Sequence, residues 1–320
     1  MKKLALLLGA LSLVSSVAYA KEVVPAVEEV VVVEEAAPVA AASALRVTNV
    51  GQYIEVDNTS GSANGNIGNV MLAHQVGLAY GDDWTFGLMA RKGWDMDTDD
   101  GIHSNGYRID LDAWKKVNDN FSVGARWRQE SDKDRYLLRT KYSYGMLSGW
   151  IDAGYESWNA HTKAVGLNEK NESVVVSGYS LDDNWYVEAM PVIVAVGPVQ
   201  VGYYLEYFDY LGEVNASDAL YKSEARHQVR LMAPLYTGEK LSLGAEYRYQ
   251  FLNDIETYKD APYQENNRHI GIINASYAVT DALSVYGYYE YDWNKYDGHD
   301  AKDKDDNYYG EFAIGWNYAF

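Results

Sequence analysis

The chain is 320 residues long, carries a formal net charge of −19 at pH 7 and has no cysteine. Such acidity excludes nucleic acid and anionic surfaces as natural partners, and no disulfide can brace the fold. The 29 tyrosines and nine tryptophans come without any apolar run of about 18 residues after the first twenty, which excludes a transmembrane helix.

Residues 1–20 read as a cleaved secretory signal peptide. Lys2 and Lys3 form a positive start, Leu4 to Val17 an apolar stretch, and Ala18-Tyr19-Ala20 a small-residue cleavage site. Residues 21–44 change character. Val, Ala, Glu and Pro dominate, as in Glu28-Glu29-Val30-Val31-Val32-Val33-Glu34-Glu35. This acidic segment reads as a periplasmic leader or linker, either a tether or a short element that docks on the following domain or on a partner.

From Leu45 to Phe320 the pattern has period two, the signature of strands with unlike faces. Phe121, Val123, Ala125 and Trp127 alternate with Ser122, Gly124, Arg126 and Arg128, and Leu241 to Phe251 behaves the same way. Similar runs fall near 46–57, 69–80, 84–94, 105–115, 135–144, 149–158, 172–181, 185–195, 199–211, 223–236, 267–279, 283–293 and 308–320. Each is about ten residues, the length of a tilted strand crossing a bilayer. Short turns such as Gly81-Asp82-Asp83, Val117 to Asn120, Thr237 to Lys240 and Thr280-Asp281-Ala282 alternate with longer polar connections at 95–104, 253–266 and 294–307. The expected fold is all-β: a transmembrane antiparallel up-and-down β-barrel spanning 45–320, with the long loops outside the cell.

The runs number fifteen, whereas a barrel with both ends of the chain on one side needs an even number. The irregularity is expected between 158 and 220, either because 185–211 holds one strand fewer or because 159–167 holds one more. Fourteen strands is the favoured count, with 16 or 12 as alternatives. Pro191 and Pro198 lie in this region and cannot donate to a ladder, so pairing there is expected to be irregular.

The last run reads Tyr308 to Phe320. Phe312, Ile314, Trp316, Tyr318 and Phe320 share one face, while Glu311, Ala313, Gly315, Asn317 and Ala319 share the other. This aromatic terminal strand resembles the signature by which the outer-membrane assembly machinery recognises barrels, and its apolar face is the expected assembly signal. The alternation over nearly the whole exported chain, the strand count and the short loops resemble OmpG-type and oligogalacturonate-specific porins. The lysine-leucine start and Val/Glu/Pro leader resemble porins of the FomA kind. No short motif separates these classes. The resemblance implies a passive diffusion channel in the bacterial outer membrane, in contact with membrane lipid and lipopolysaccharide, passing small polar solutes or ions. Monomer and trimer both remain open.

With the apolar face outward, the other face lines the lumen. Basic candidates are Arg108, Arg126, Arg128, Arg139 and Lys141, then Arg226, Arg230 and Arg248. Acidic candidates are Asp110, Asp112, Asp152, Glu156, Glu188, Glu206, Glu246, Glu290, Asp292 and Glu311. Facing rows of charge set a field that acts on solutes, and the same charges can simply pair across strands. The wall looks nearly balanced in sign, which predicts weak cation selectivity. The segment Asp95 to Gly101 departs from a calcium loop, because its Gly comes late and no Glu closes it. No metal or cofactor is expected. The histidines are His74, His103, His161, His227, His269 and His299; His103 follows an acidic loop and could reach Asp99 or Asp100, His299 lies in another acidic loop beside Asp300, and no nucleophile motif accompanies His103. The reading is therefore not an enzyme. The alternatives are a non-conducting structural or adhesin-like barrel and, further off, a barrel hydrolase.

Overall fold

The structure, a computed structural model, describes residues 45–59, 69–97, 101–158, 165–167, 173–175, 183–211, 221–257, 263–265, 268–293 and 308–320. The signal peptide, the acidic leader and the whole 294–307 connection lie outside the described residues.

Strands follow in the order β1 (Leu45–Thr59), β2 (Asn69–Tyr80), β3 (Trp84–Asp97), β4 (Gly101–Asn118), β5 (Phe121–Glu130), β6 (Lys133–Tyr144) and β7 (Leu147–Trp158). Two three-residue strands, β8 (Val165–Leu167) and β9 (Ser173–Val175), come next, then β10 (Asn184–Val196), β11 (Val199–Tyr210), β12 (Tyr221–Thr237) and β13 (Leu241–Thr257). The chain ends with the short β14 (Tyr263–Glu265), then β15 (Arg268–Ala278), β16 (Leu283–Trp293) and β17 (Tyr308–Ala319). Among the described residues there is no helix.

Fourteen of these strands make one closed antiparallel barrel. Each long strand pairs with its neighbours in sequence, β12 pairs with β13, and β1 closes on β17 with Val50 opposite Tyr318 and Ile54 opposite Ile314. Closure removes every free edge. The first and last strands are tied down to the final residue, where the Phe320 amide donates to the Thr48 carbonyl at 3.0 Å.

One end carries the tight turns. At Gly145 and Gly197 the backbone sits at φ +62° and +61°, the left-handed start that a two-residue hairpin requires and that glycine adopts without strain. The opposite end carries the longer connections. There the β5–β6 link, Ser131-Asp132, is an exception, being as short as a turn.

Several expectations need correction. The run at 172–181 is not a barrel strand. Within it only Ser173–Val175 is a strand among the described residues, and it pairs with Val165–Leu167 in a separate two-stranded ladder. Its β-branched residues satisfy their backbone locally, so the even count comes neither from losing a strand in 185–211, which holds both β10 and β11, nor from adding a barrel strand at 159–167. The connections at 95–104 and 253–266 are shorter than expected. The β3–β4 hairpin continues past Trp94, with Asp95 opposite His103, and β13 runs to Thr257. Polar residues can extend a ladder into water as readily as they can form a loop. The irregularity at Pro191 is present: the register of β10 shifts between Ala189 and Val192 against β11, and between Met190 and Ile193 against β7. Pro198 sits in the β10–β11 turn.

The two faces differ sharply. Inward side chains include Glu55, Asp152, Arg248 and Asp292, all 5% exposed or less. Outward ones include Ile54, Leu138, Ile273 and Ile314, which are 45%, 75%, 60% and 49% exposed. The outward apolar belt encircles the barrel. It is far larger than the few hundred square ångströms that a soluble monomer leaves bare. Phe312, Ile314, Tyr318 and Phe320 belong to it, with Trp316 half-buried on the same side.

Candidate channel lumen

Because side chains alternate at every step of a strand, a residue's parity decides whether it meets the lumen. In β4 the inward series is Arg108, Asp110, Asp112 and Trp114. In β5 it is Arg126 and Arg128, and in β6 it is Lys133, Arg135, Leu137 and Arg139. Neighbouring strands bring these rows side by side, with Asp110 opposite Arg128 and Asp112 opposite Arg126.

The resulting wall is a chain of ion pairs. Arg108 Nη2 meets Asp110 Oδ2 at 2.6 Å, and Arg128 Nε meets Asp110 Oδ1 at 2.9 Å. Arg126 grips Asp112 with two donors, Nε at 2.9 Å and Nη2 at 2.8 Å. Arg139 bridges Asp112 at 2.5 Å and Asp152 at 3.0 Å. Lys133 and Arg135 both pair with Glu156. Forked guanidinium–carboxylate geometry of this kind fixes side chains as well as attracting them. On β3 to β6 basic groups outnumber the acids they meet.

The wall continues in a second segment. Glu188 on β10 accepts from Tyr204 at 3.0 Å and also from Tyr186. Glu206 stands 3.1 Å from the same Tyr186 hydroxyl and pairs with Arg226 at 3.1 Å. Arg226 also holds Glu224 at 2.7 Å. Arg248 meets Glu246 at 2.5 Å and Glu290 at 3.5 Å, and the Arg230 guanidinium lies 3.6 Å from the Tyr204 ring centre. A third segment, on β16, β17 and β1, is rich in carboxylates: Glu290, Asp292, Glu311, Glu55 and Asp57. Arg268 pairs with Asp292 at 2.5 Å, and Arg91 reaches Glu55 at 3.4 Å.

Between these walls runs a cavity of about 850 Å³. Its lining includes Thr48, Asn49, Gly77 and Thr85 at the turn end and Asp132, Lys133, Trp158 and Tyr210 at the loop end. The opposite quadrant of the turn end is filled by a packed cluster of Trp150, Met190, Ile193 and Tyr204, with Met232 against it. The cavity therefore runs along one side of the lumen, past Gly77 and Gly87.

Of the residues singled out from sequence, Arg108, Asp110, Asp112, Arg126, Arg128, Arg139, Glu156, Glu188, Glu206, Arg226, Arg230, Arg248, Glu290 and Glu311 line this cavity, while Asp152 is buried behind it against Arg139. Lys141, Glu246 and Asp292 are inward but stand back from it. Lys141 lies over the Trp114 ring at 4.5 Å, Glu246 is covered by Arg248, and Asp292 is fully buried against Arg268. Parity alone could have added Glu55, Asp57, Arg91, Arg135 and Arg268, which sequence reasoning passed over. Tyr186, Tyr204 and Tyr288 carried no such signal, since a tyrosine suits either face.

The described histidines stand elsewhere. His74 bonds Gln52 at 2.9 Å, His227 bonds Tyr203 at 2.7 Å and His269 bonds Tyr247 at 2.6 Å, all on outward-facing positions. His103 lies at the loop end opposite Asp95. None of these four lines the cavity. Asp99, Asp100, His161 and His299 lie outside the described residues.

No protein-family model matches the chain, and no curated protein matches it. Among solved structures it is similar to OmpT, an outer membrane protein of Vibrio cholerae, at 13% identity and TM-score 0.44, over 88% of this chain and 100% of that one. It is also similar to an anion-selective porin from Comamonas acidovorans, at 12% identity and TM-score 0.43, over 87% and 100%. A Pseudomonas aeruginosa FadL homologue aligns at 10% identity and TM-score 0.45, over 86% and 90%. These are likenesses to barrels as a class, and the narrower resemblance to OmpG-type, oligogalacturonate-specific and FomA-type porins draws no support from them.

Proposed function

We propose that this chain is a porin of the bacterial outer membrane, passing ions and small hydrophilic solutes by passive diffusion. The observation that carries the reading is the charged cavity that reaches both ends of a closed barrel. A belt of outward apolar side chains supports the membrane setting, because only lipid or another apolar surface covers such a belt without cost. The outward face of β17 then serves as the element that the assembly machinery reads. Basic and acidic side chains nearly offset one another around the wall, which favours weak cation selectivity over a sharp preference. The packed cluster around Trp150 favours one competitor, a barrel that is structural and does not conduct.

A cysteine at Gly87 separates the two. The chain has no other cysteine, Gly87 lines the cavity, and an added Cβ there meets its nearest neighbour, the Cβ of Asp112, at an ordinary 3.5 Å. In liposome-swelling assays Gly87→Cys should admit small sugars like the parent and lose most of that flux after a bulky thiol reagent. Undiminished flux after complete labelling would place the solute path elsewhere.

Orientation has its own expected result. The loop end faces outward from the cell, so Asp132→Cys should react with an impermeant maleimide on intact cells. Glu239→Cys, in the β12–β13 turn at the other end, should react only once the outer membrane is opened. The reverse pattern would invert the barrel.

A further inference from the structure

We infer that the apolar cluster of Trp150, Met190, Ile193 and Tyr204, carried on a bulge of β10 at Pro191, sets the size limit of the lumen at its turn end, and that Met190 is the residue that decides it. The inference rests on the channel reading and names the part of the wall that governs what passes.

Strict alternation along β10 would send residues 184, 186, 188, 190, 192 and 194 inward. The strand keeps that parity as far as Met190 and then breaks it. Its register slips against both neighbours, between Ala189 and Val192 on the β11 side and between Met190 and Ile193 on the β7 side. Pro191 has no N–H to give to a ladder, so the chain bulges there. The Pro191 carbonyl accepts from the Tyr142 hydroxyl of β6, which reaches over Gly149 of β7. One extra residue in a strand flips the facing of everything beyond it. Val192 is therefore 45% exposed, while Ile193 is buried on the lumen side beside Met190.

The neighbours build a seat for Met190. Trp150 of β7 stands opposite it. On the other flank is Gly202 of β11, where a Cβ would stand 2.6 Å from the Met190 Sδ and 3.6 Å from the Ile193 Cγ1. Glycine there lets the thioether lie back against β11. The Trp150 ring meets Tyr204 edge-on at 6.3 Å, and Met232 packs against the group. Of the four, only Tyr204 lines the cavity, with the Arg230 guanidinium over its ring. Trp150, Met190 and Ile193 fill the space behind Tyr204 and leave it no room to retreat. The cluster thus fixes how far this wall advances into the lumen. Its apolar surface also offers a passing solute no hydrogen bond in place of its water. Methionine is an unbranched gap-filler, so truncating it opens the space behind Tyr204 without touching the strand ladder.

The test is single-channel recording together with liposome swelling, on the full chain. Met190→Ala alone should raise conductance, and Met190→Ala combined with Trp150→Ala and Ile193→Ala should roughly double it and admit sugars too large for the parent. Gly202→Ala should act in the opposite direction. Its Cβ displaces the Met190 thioether from β11 toward the lumen, and conductance should fall below the parent's. Leu138→Ala, at an outward position that is 75% exposed, should change neither conductance nor size limit. A cluster that only braced the barrel would lower the temperature at which the compact form is lost and leave conductance and size limit where they were. That result in Met190→Ala and Gly202→Ala overturns the inference and leaves the channel reading standing. If the triple variant does not fold, these two single variants carry the comparison. Current steps from the triple variant but not from the parent would support the inference and correct the channel reading to a barrel that the cluster closes. Steps from neither overturn both.

Discussion

Replacing Arg126, Arg128 and Arg139 together with glutamine should shift the barrel strongly toward cations. These guanidinium groups are the positive partners of Asp110, Asp112 and Asp152, and all three arginines line the cavity. Removing them leaves Asp112 and Asp152 without their arginines and Asp110 with Arg108 alone. A unit charge within ~8 Å of a permeating ion is worth on the order of 1 kcal/mol at the lumen wall, about fivefold in partitioning. The reversal potential across a bilayer with a salt gradient should therefore move by many millivolts toward the cation limit, more at low salt than at high. Breaking buried ion pairs also costs about 3–5 kcal/mol for each partner left alone, so the variant should unfold more easily. A second variant separates these effects. Adding Asp110→Asn, Asp112→Asn and Asp152→Asn restores the net charge of the wall, and selectivity should return close to the parent. If the arginine variant folds and its reversal potential does not move, the β4–β7 wall does not face the conducting path.

Gly154→Val should abolish assembly. An added Cβ at Gly154 would stand 1.8 Å from the Tyr136 carbonyl oxygen and 2.8 Å from its carbon. These are backbone atoms of β6, paired with β7 through Leu137 and Gly154, and cannot swing aside as a side chain could. Overpacking of a well-packed site ordinarily costs about 1–3 kcal/mol, and a backbone clash should exceed that. The compact, fast-migrating form on unheated gels should be missing. Gly87→Ala is the matched control, because its nearest contact is an ordinary 3.5 Å, and it should migrate like the parent. A Gly154→Val chain that folds normally would show that β6 and β7 lie farther apart than described.

Much of the barrel was legible in the sequence, for a specific reason. Inward charges and outward apolar groups alternate in register with the backbone, so runs such as Phe121 to Trp127 declare both strand and facing. Where that contrast fades, the reading failed. The valines at 174–176 have the composition of a strand but no polar alternation strong enough to place them in the barrel, and β9 pairs with β8 instead. Strand ends were equally opaque. Asp95 and His103 suit a loop by composition and are held in a ladder by pairing that a single run cannot reveal.

The lumen shows the same division. Facing was recoverable residue by residue, since parity is local. Partnership was not, because it depends on how far each strand is offset from the next around a tilted, closed sheet. That Arg139 would bridge Asp112 and Asp152, residues of two different strands, or that Tyr288 would meet Glu55 from the far end of the chain, required the register. The narrowing at the turn end was hidden for another reason. Trp150, Met190, Ile193 and Tyr204 are apolar but inward, against the polar-in pattern that reveals the rest.

The central claim is that the barrel conducts, and single-channel recording tests it most directly. Purified, heat-modifiable protein added to a planar bilayer in potassium chloride should give discrete, ohmic current steps with a weak preference for cations. Folded protein that inserts and gives no steps would contradict the account and leave a closed structural barrel in its place.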